Sequence, residues 1–174
     1  MSDISGLAVL AVFPLCMILA SFYDLFTMTI PNKVTLVLTV AFFVLAPLAG
    51  MSMLTMAWHV GLGFGVLVIC YALFAIRAMG GGDAKLLAAS ALWLGPDMTL
   101  SYVLLASIFG GVLTFCIIVA RRYPLPDMLA GVGWLNRLHD KKTGIPYGLA
   151  LGPAALLVFP ETAWMSFVSS GSFS

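Results

Sequence analysis

Two aspartates stand where apolar sequence makes a charge expensive. Asp24 sits in Phe22-Tyr23-Asp24-Leu25, directly after a first apolar run, and Asp83 closes Gly80-Gly81-Gly82-Asp83. A carboxylate beside hydrocarbon is a functional candidate until another explanation fits, because something specific has to replace its water. Two carboxyls brought together at a partly dry site cannot easily both ionise, so one keeps a proton while the other stays charged. That asymmetry supplies a base to draw a proton from water as it attacks an amide carbonyl, and an acid to donate to the carbonyl oxygen. Peptide hydrolysis on this scheme needs no metal. Gly80, Gly81 and Gly82 permit φ > 0 and let an extended substrate approach the backbone. They also let the chain unwind at membrane depth, which is tolerated only beside protein or a water-filled cavity. Each aspartate has a plainer reading as well: Asp83 as an N-cap, and Asp24 as an ion-pair partner of Lys33 across a tight loop.

The elements that must carry these residues are membrane helices. Hydrophobic residues make up 62% of the 174-residue chain and charged ones 9%, with a mean hydropathy of +1.11, so lipid rather than water is the expected solvent. A helix needs roughly 20 apolar residues to cross ~30 Å of hydrocarbon, and 4–22, 54–76 and 100–120 meet that length. Segments 34–48 and 147–159 are shorter but uncharged, and the second continues into an amphipathic tail through Trp164. Segment 83–94 reaches only about 18 Å and carries Lys85. Charge placement argues that it crosses. With it as a span, Lys33, Arg77, Lys85, Arg121, Arg122, Arg137, Lys141 and Lys142 all fall on one side. Without it they split three against five, against the bias of Lys and Arg toward cytoplasmic loops. An all-α integral membrane fold follows, with about six transmembrane helices, a short fourth one, both termini outside, and a single membrane-embedded domain over residues 1–174 with no soluble domain.

Residues 1–5 hold no basic n-region, and Asp3 is acidic, so the first apolar run reads as a membrane helix rather than a signal peptide. In the long polar loop 121–144, residues 128–138 suit a short surface helix capped by Asp127. Cys16, Cys70 and Cys116 sit in apolar runs without a CxxC pair and read as small buried hydrophobes. His59 and His139 lie far apart, so no metal or other cofactor is expected. A net charge of +1 gives no field for nucleic acid. Gly61 with Gly65, and Gly148 with Gly152, have the four-residue spacing that lets helices pack closely in lipid. Trp58 and His59 read as anchors at the outer boundary.

The string Gly80-Gly81-Gly82-Asp83-Ala84-Lys85 resembles the GxGD signature of intramembrane aspartyl proteases. Together with Asp24 followed by Ile30-Pro31-Asn32, and Ile145-Pro146-Tyr147-Gly148 opening the last span, it resembles the prepilin peptidases over nearly the whole chain. That resemblance implies cleavage of a short basic leader from type IV pilin-like precursors, just before the precursor's apolar helix. The reaction would lie on the cytoplasmic side of a bacterial inner membrane, with Asp24 and Asp83 catalytic. Larger members insert a cytoplasmic CxxC domain between the first two spans and methylate the new amino terminus. Residues 23–33 leave no room for it, so the chain looks like the short branch serving Flp or tight-adherence pili, and methyl transfer is not expected.

Around the pair, Pro31 suits a first helical turn, while Asn32 and Lys33 either meet the leader or cap and anchor the second helix. Pro146 and Gly148 either position the last span beside the aspartates or only kink and pack it. Lys85 either tunes Asp83 or anchors at the interface. Two other classes of function compete with proteolysis. A small transporter would use Asp24 and Asp83 for ions or protons, although no internal symmetry suggests one. A noncatalytic assembly subunit would carry them incidentally.

Overall fold

In hydrocarbon every backbone N–H and C=O has to be satisfied within the chain, so long apolar sequence is driven into helix. The computed structural model describes residues 2–126, 128 and 131–170, and among them it is helical with no strand. The elements are α1 (Ser2–Thr27), α2 (Asn32–Leu48), α3 (Met53–Ala75), α4 (Gly81–Ala120), α5 (Gly133–His139), α6 (Gly148–Val158) and α7 (Ala163–Ser170). A 3-10 turn, Phe159–Glu161, joins the last two. Gly6–Thr27, Met53–Ala75 and Gly81–Ala120 are long and apolar enough to cross a membrane.

The 40-residue α4 is not one rod. Gly95 stands at φ 70, ψ −178 inside it, and Pro96 follows. Proline supplies no N–H and crowds the residue before it out of the helical region, and glycine accepts the conformation that results. Contacts on either side show a reversal. Residues 81–94 lead away from the end of the bundle that holds Asp24, and Gly95 lies against the His59 ring near the start of α3. Residues 96–120 then return, so that Gly110 meets Tyr147 and Arg121 meets Gly144. The separate segments 83–94 and 100–120 read from the sequence are therefore the two halves of α4.

The short half is the centre of the molecule. Ala84 and every residue from Leu86 to Gly95 are buried. Ser90 reaches Met17 of α1 at 3.5 Å, and the Trp93 indole N–H donates to the Leu38 carbonyl of α2 at 2.8 Å. Trp164 of α7 donates in turn to the Trp93 carbonyl at 2.8 Å. Phe13, Trp93, Trp164, Phe42 and His59 close the far end as an aromatic cluster, with Phe13 stacked on Phe159 at 4.5 Å. Gly6 lies beside Val168, so the start of α1 and α7 share that end.

Several details differ from the sequence reading. Helix α1 runs on through Thr27, which puts Asp24 in its last turn rather than after it. His59 is no interfacial anchor: it is 7% exposed and its Nδ1 pairs with the Leu92 carbonyl at 2.8 Å, whereas Trp58 is exposed. Cys16 and Cys70 are buried but Cys116 is exposed. The Gly61 and Gly65 pair meets nothing, and the close approach is made by Gly63 between them, where a Cβ would lie 3.3 Å from Leu92 Cβ. The surface helix in the polar loop begins at Gly133 rather than 128, and its expected cap, Asp127, lies outside the described residues.

A Cβ on Gly95 would sit 2.5 Å from the His59 ring, on a backbone conformation that costs a non-glycine residue about 1–3 kcal/mol. Gly95→Ala is expected to lower the thermal unfolding midpoint of the detergent-solubilised protein by several degrees. Gly61→Ala, which faces open space, should leave it within a degree or two.

Candidate active site

The site is assembled where α1 ends, α4 begins and α6 begins. Asp24 is 5% exposed, and its Oδ2 accepts from the backbone N–H of Gly148 at 2.6 Å. The Ser21 hydroxyl, one turn earlier on α1, contacts the Gly148 carbonyl at 2.9 Å and its own helix carbonyl at Met17 at 3.0 Å. Both backbone groups of one glycine are thus engaged by one helix. That requires the absence of side chains: a Cβ on Gly148 would fall 2.8 Å from Asp24 Cβ, and one on Gly152 would fall 1.9 Å from Ser21 Oγ. The Gly148 and Gly152 spacing therefore does the close packing read from the sequence, against α1. Pro146 is fully buried just before it.

Asp83 is the third residue of α4, after the N-cap Gly80. Its carboxylate turns back to the Gly80 backbone N–H, the half of a capping box in which an acidic third residue satisfies the N-cap donor. A Cβ at Gly80 would stand 2.6 Å from Asp83 Oδ2. The next two glycines are pressed by other elements. Gly81 packs on the Phe74 ring, and Gly82 on Ile30, where a Cβ would meet Ile30 Cβ at 3.2 Å. The Ile30-Pro31-Asn32 loop and the glycine run, distant in sequence, are one packed unit.

Asp24 and Asp83 are close enough to act on each other electrostatically, and both line one cavity of about 680 Å³ with Gly80, Phe74, Arg77 and Tyr147. The alternative Asp24–Lys33 ion pair is not formed, and Asp24 bonds to Gly148. Asn32 and Lys85 are paired with each other, Lys85 Nζ donating to Asn32 Oδ1 at 3.0 Å. They line a different hollow, together with Lys33. Pro31 is the N-cap of α2 rather than a residue of its first turn, with φ −63 and ψ 134.

Some participants were not singled out by the sequence as site residues. Arg77 lines the aspartate cavity from a left-handed backbone, φ 61, at the turn after α3; its only signal was a lone cation between a long apolar run and the glycines. Tyr147 is held by Thr114, hydroxyl to hydroxyl at 3.3 Å, over Gly110, whose missing side chain makes room for its ring. Arg121 ties the polar loop down by donating to the carbonyls of Leu138 at 2.8 Å and Gly144 at 2.9 Å. Arg137 of α5 donates to the Phe26 carbonyl of α1.

With this arrangement in view, residues 11–115 match the type IV leader peptidase family. The chain belongs to that family. It is accordingly a peptidase, and with its long apolar helices a membrane protein. The matched stretch holds both aspartates, the Ile30-Pro31-Asn32 loop and the glycine run. The Pro146-Tyr147-Gly148 segment lies beyond it. Among curated proteins and among solved structures nothing matches.

Within this leader peptidase family member, Gly148→Ala would push a methyl into Asp24 and displace its carboxylate by about an ångström. With Asp24 taken as the catalytic carboxyl proposed for this site, a misplacement of that size costs about 100-fold. Peptide-bond cleavage by the purified variant is expected to fall by that order, while Gly111→Ala, with nothing around it, keeps the parent rate.

Proposed function

We propose that this protein is a membrane-embedded aspartyl endopeptidase that removes the leader from type IV pilin-like precursors, with Asp24 and Asp83 as its catalytic residues. The observation that carries the proposal is the meeting of the two carboxyl groups in one cavity, in a chain of the leader peptidase family. They come from helices 59 residues apart in sequence, and no single-helix capping role requires them to share a hollow. The remaining members play supporting parts: Gly148 orients Asp24, Gly80 lines the cavity without a side chain, Gly81 and Gly82 let the start of α4 pack on Phe74 and Ile30, and Pro146 fixes the start of α6.

The chemistry balances without a co-reactant other than water. One carboxylate takes a proton from a water molecule as the oxygen bonds to the scissile carbonyl carbon, while the other carboxyl gives its proton to the carbonyl oxygen. Collapse of the tetrahedral species breaks the C–N bond: the proton taken from water goes to the leaving amine, and a hydroxyl of the diol returns a proton to the carboxylate that donated as the new acid's C=O forms. New acid and amine termini result, and the pair again holds one proton. Burial in a partly dry hollow strengthens both transfers, because little bulk water is present to screen the charges.

The substrate class and the side of the membrane rest on two supports. A six-pass arrangement follows if each half of α4 crosses, together with α1, α2, α3 and α6, and the nearness of Gly6 to Val168 then sets both ends on one face. Lys33, Arg77, Lys85, Arg121 and Arg137 belong to the loops and helix ends around the aspartates. Their sign makes that face the cytoplasmic one of the bacterial inner membrane, where a leader of basic character would await cleavage. Residues 28–31, the whole connection from α1 to α2, leave no place for an inserted domain, which favours the short branch that processes Flp-type precursors.

Co-expression with a pilin-like precursor tests the proposal on a gel. The parent protein should convert the precursor to a product shortened by its leader. Asp24→Asn and Asp83→Asn should each abolish conversion, by at least 1,000-fold, with the variants still found in the membrane fraction. Unaltered precursor with the parent protein would favour ion or proton transport by the pair, and cleavage that survives either substitution would remove the aspartates from the chemistry.

A further inference from the structure

Helices α2 and α3 both pack on the short half of α4 but leave a gap between themselves. The gap is a groove of about 550 Å³ whose floor is Ala88, Ala89 and Leu92 of α4 with Gly63 of α3, and whose walls include Leu36, Phe43 and Phe64. Small residues keep the floor low. Thr35 and Thr39, on the α2 side, turn their hydroxyls back to the carbonyls of Asn32 and Thr35 at 3.0 and 2.9 Å, so they offer methyl groups to the groove. The lining is apolar except at one end, where Asn32, Lys33 and Lys85 gather. The Lys85 ammonium donates to an amide oxygen rather than to a carboxylate, and both lysines are exposed.

We infer that this groove binds an anionic phospholipid, with its phosphate between Lys33 and Lys85 and an acyl chain along Ala88, Ala89 and Leu92. Length favours a lipid over an apolar helix. From Asn32 to Phe43 the α2 wall runs about 16 Å, the depth of one leaflet in a bilayer with ~30 Å of hydrocarbon. A spanning helix would need twice that. Charge favours an anionic headgroup: the cations sit at the groove mouth, at the level where phosphates of the leaflet on the Asp24 and Asp83 side lie, and each lysine so placed adds severalfold to attraction for an anionic lipid. Position separates the groove from the chemistry. Lys85 is two residues beyond Asp83 and so projects from a different side of α4, and the two hollows share no lining residue. The site is thus independent of the peptidase reading, and its occupant would bridge the gap between α2 and α3.

Native mass spectrometry of the full chain released from nanodiscs of equal phosphatidylglycerol and phosphatidylcholine tests this directly. The parent protein should retain one phosphatidylglycerol molecule, and Lys33→Gln with Lys85→Gln should reduce its preference over phosphatidylcholine by about 30-fold. Lys33→Arg with Lys85→Arg should retain the preference. Ala88→Leu, which fills the floor without changing charge, should lose the bound lipid. In detergent, phosphatidylglycerol should raise the unfolding midpoint of the parent protein but not of the glutamine variant. Equal retention by parent and glutamine variant would overturn the inference, as would an equal rise produced by inorganic phosphate alone. Displacement of the lipid by a pilin-like precursor that crosslinks at Leu36→Cys would likewise overturn it, by giving the groove to a helix.

Discussion

A buried carboxylate at the edge of a bilayer has to find its hydrogen bonds in the protein, and for Asp24 the donor is the backbone N–H of Gly148. Much of the molecule is arranged around making that contact available. A backbone donor can reach a side chain on a neighbouring helix only where the two helices nearly touch, and they do so here because positions 148 and 152 carry no side chain. Ser21 takes up the Gly148 carbonyl from the same helix, so α1 and α6 are pinned by polar groups on both sides of one residue. In lipid, helices gain little from burying apolar surface against each other, and close van der Waals packing with a few interhelical hydrogen bonds does the work instead.

The same economy of side chains organises the other half of the site. Gly81 and Gly82 lie against Phe74 and Ile30, which brings the start of α4 onto both the end of α3 and the loop before α2. Asp83 closes back on Gly80 and caps the helix that it begins. Its capping role and its place in the cavity are compatible, since a carboxylate has two oxygens and several acceptor sites. Asp83 is thus not the N-cap itself, a place that Gly80 holds, and its turn back to Gly80 leaves acceptor capacity on the carboxyl toward the cavity it shares with Asp24.

The central position of the short half of α4 explains how a segment with a lysine near its start can lie inside a membrane protein. Around residues 84–95 the other helices supply contacts on nearly every side. Lys85 escapes toward Asn32 at the polar end, as a long side chain at a helix end does by snorkelling. The turn at Gly95 and Pro96 sends the chain back at the far end under a lid of aromatic rings. One long helix thereby provides both the core and an outer wall.

Membrane character, the helical class and the family were determined by the sequence alone, because each depends on residue type and local spacing: apolar runs set by bilayer thickness, and short motifs whose members are near neighbours. Even the reversal near residue 95 was foreshadowed by a charge count over whole loops. What only the tertiary structure decided are the relations between distant positions. Asp24 bonds to Gly148 and not to Lys33, Gly63 makes the contact for which Gly61 and Gly65 have the spacing, and His59 turns inward to Leu92 instead of outward to the interface. An apolar helix in lipid has no polar face to mark its buried side, so periodicity says little about rotation. Which residues point inward is settled by the fit of one helix surface against another.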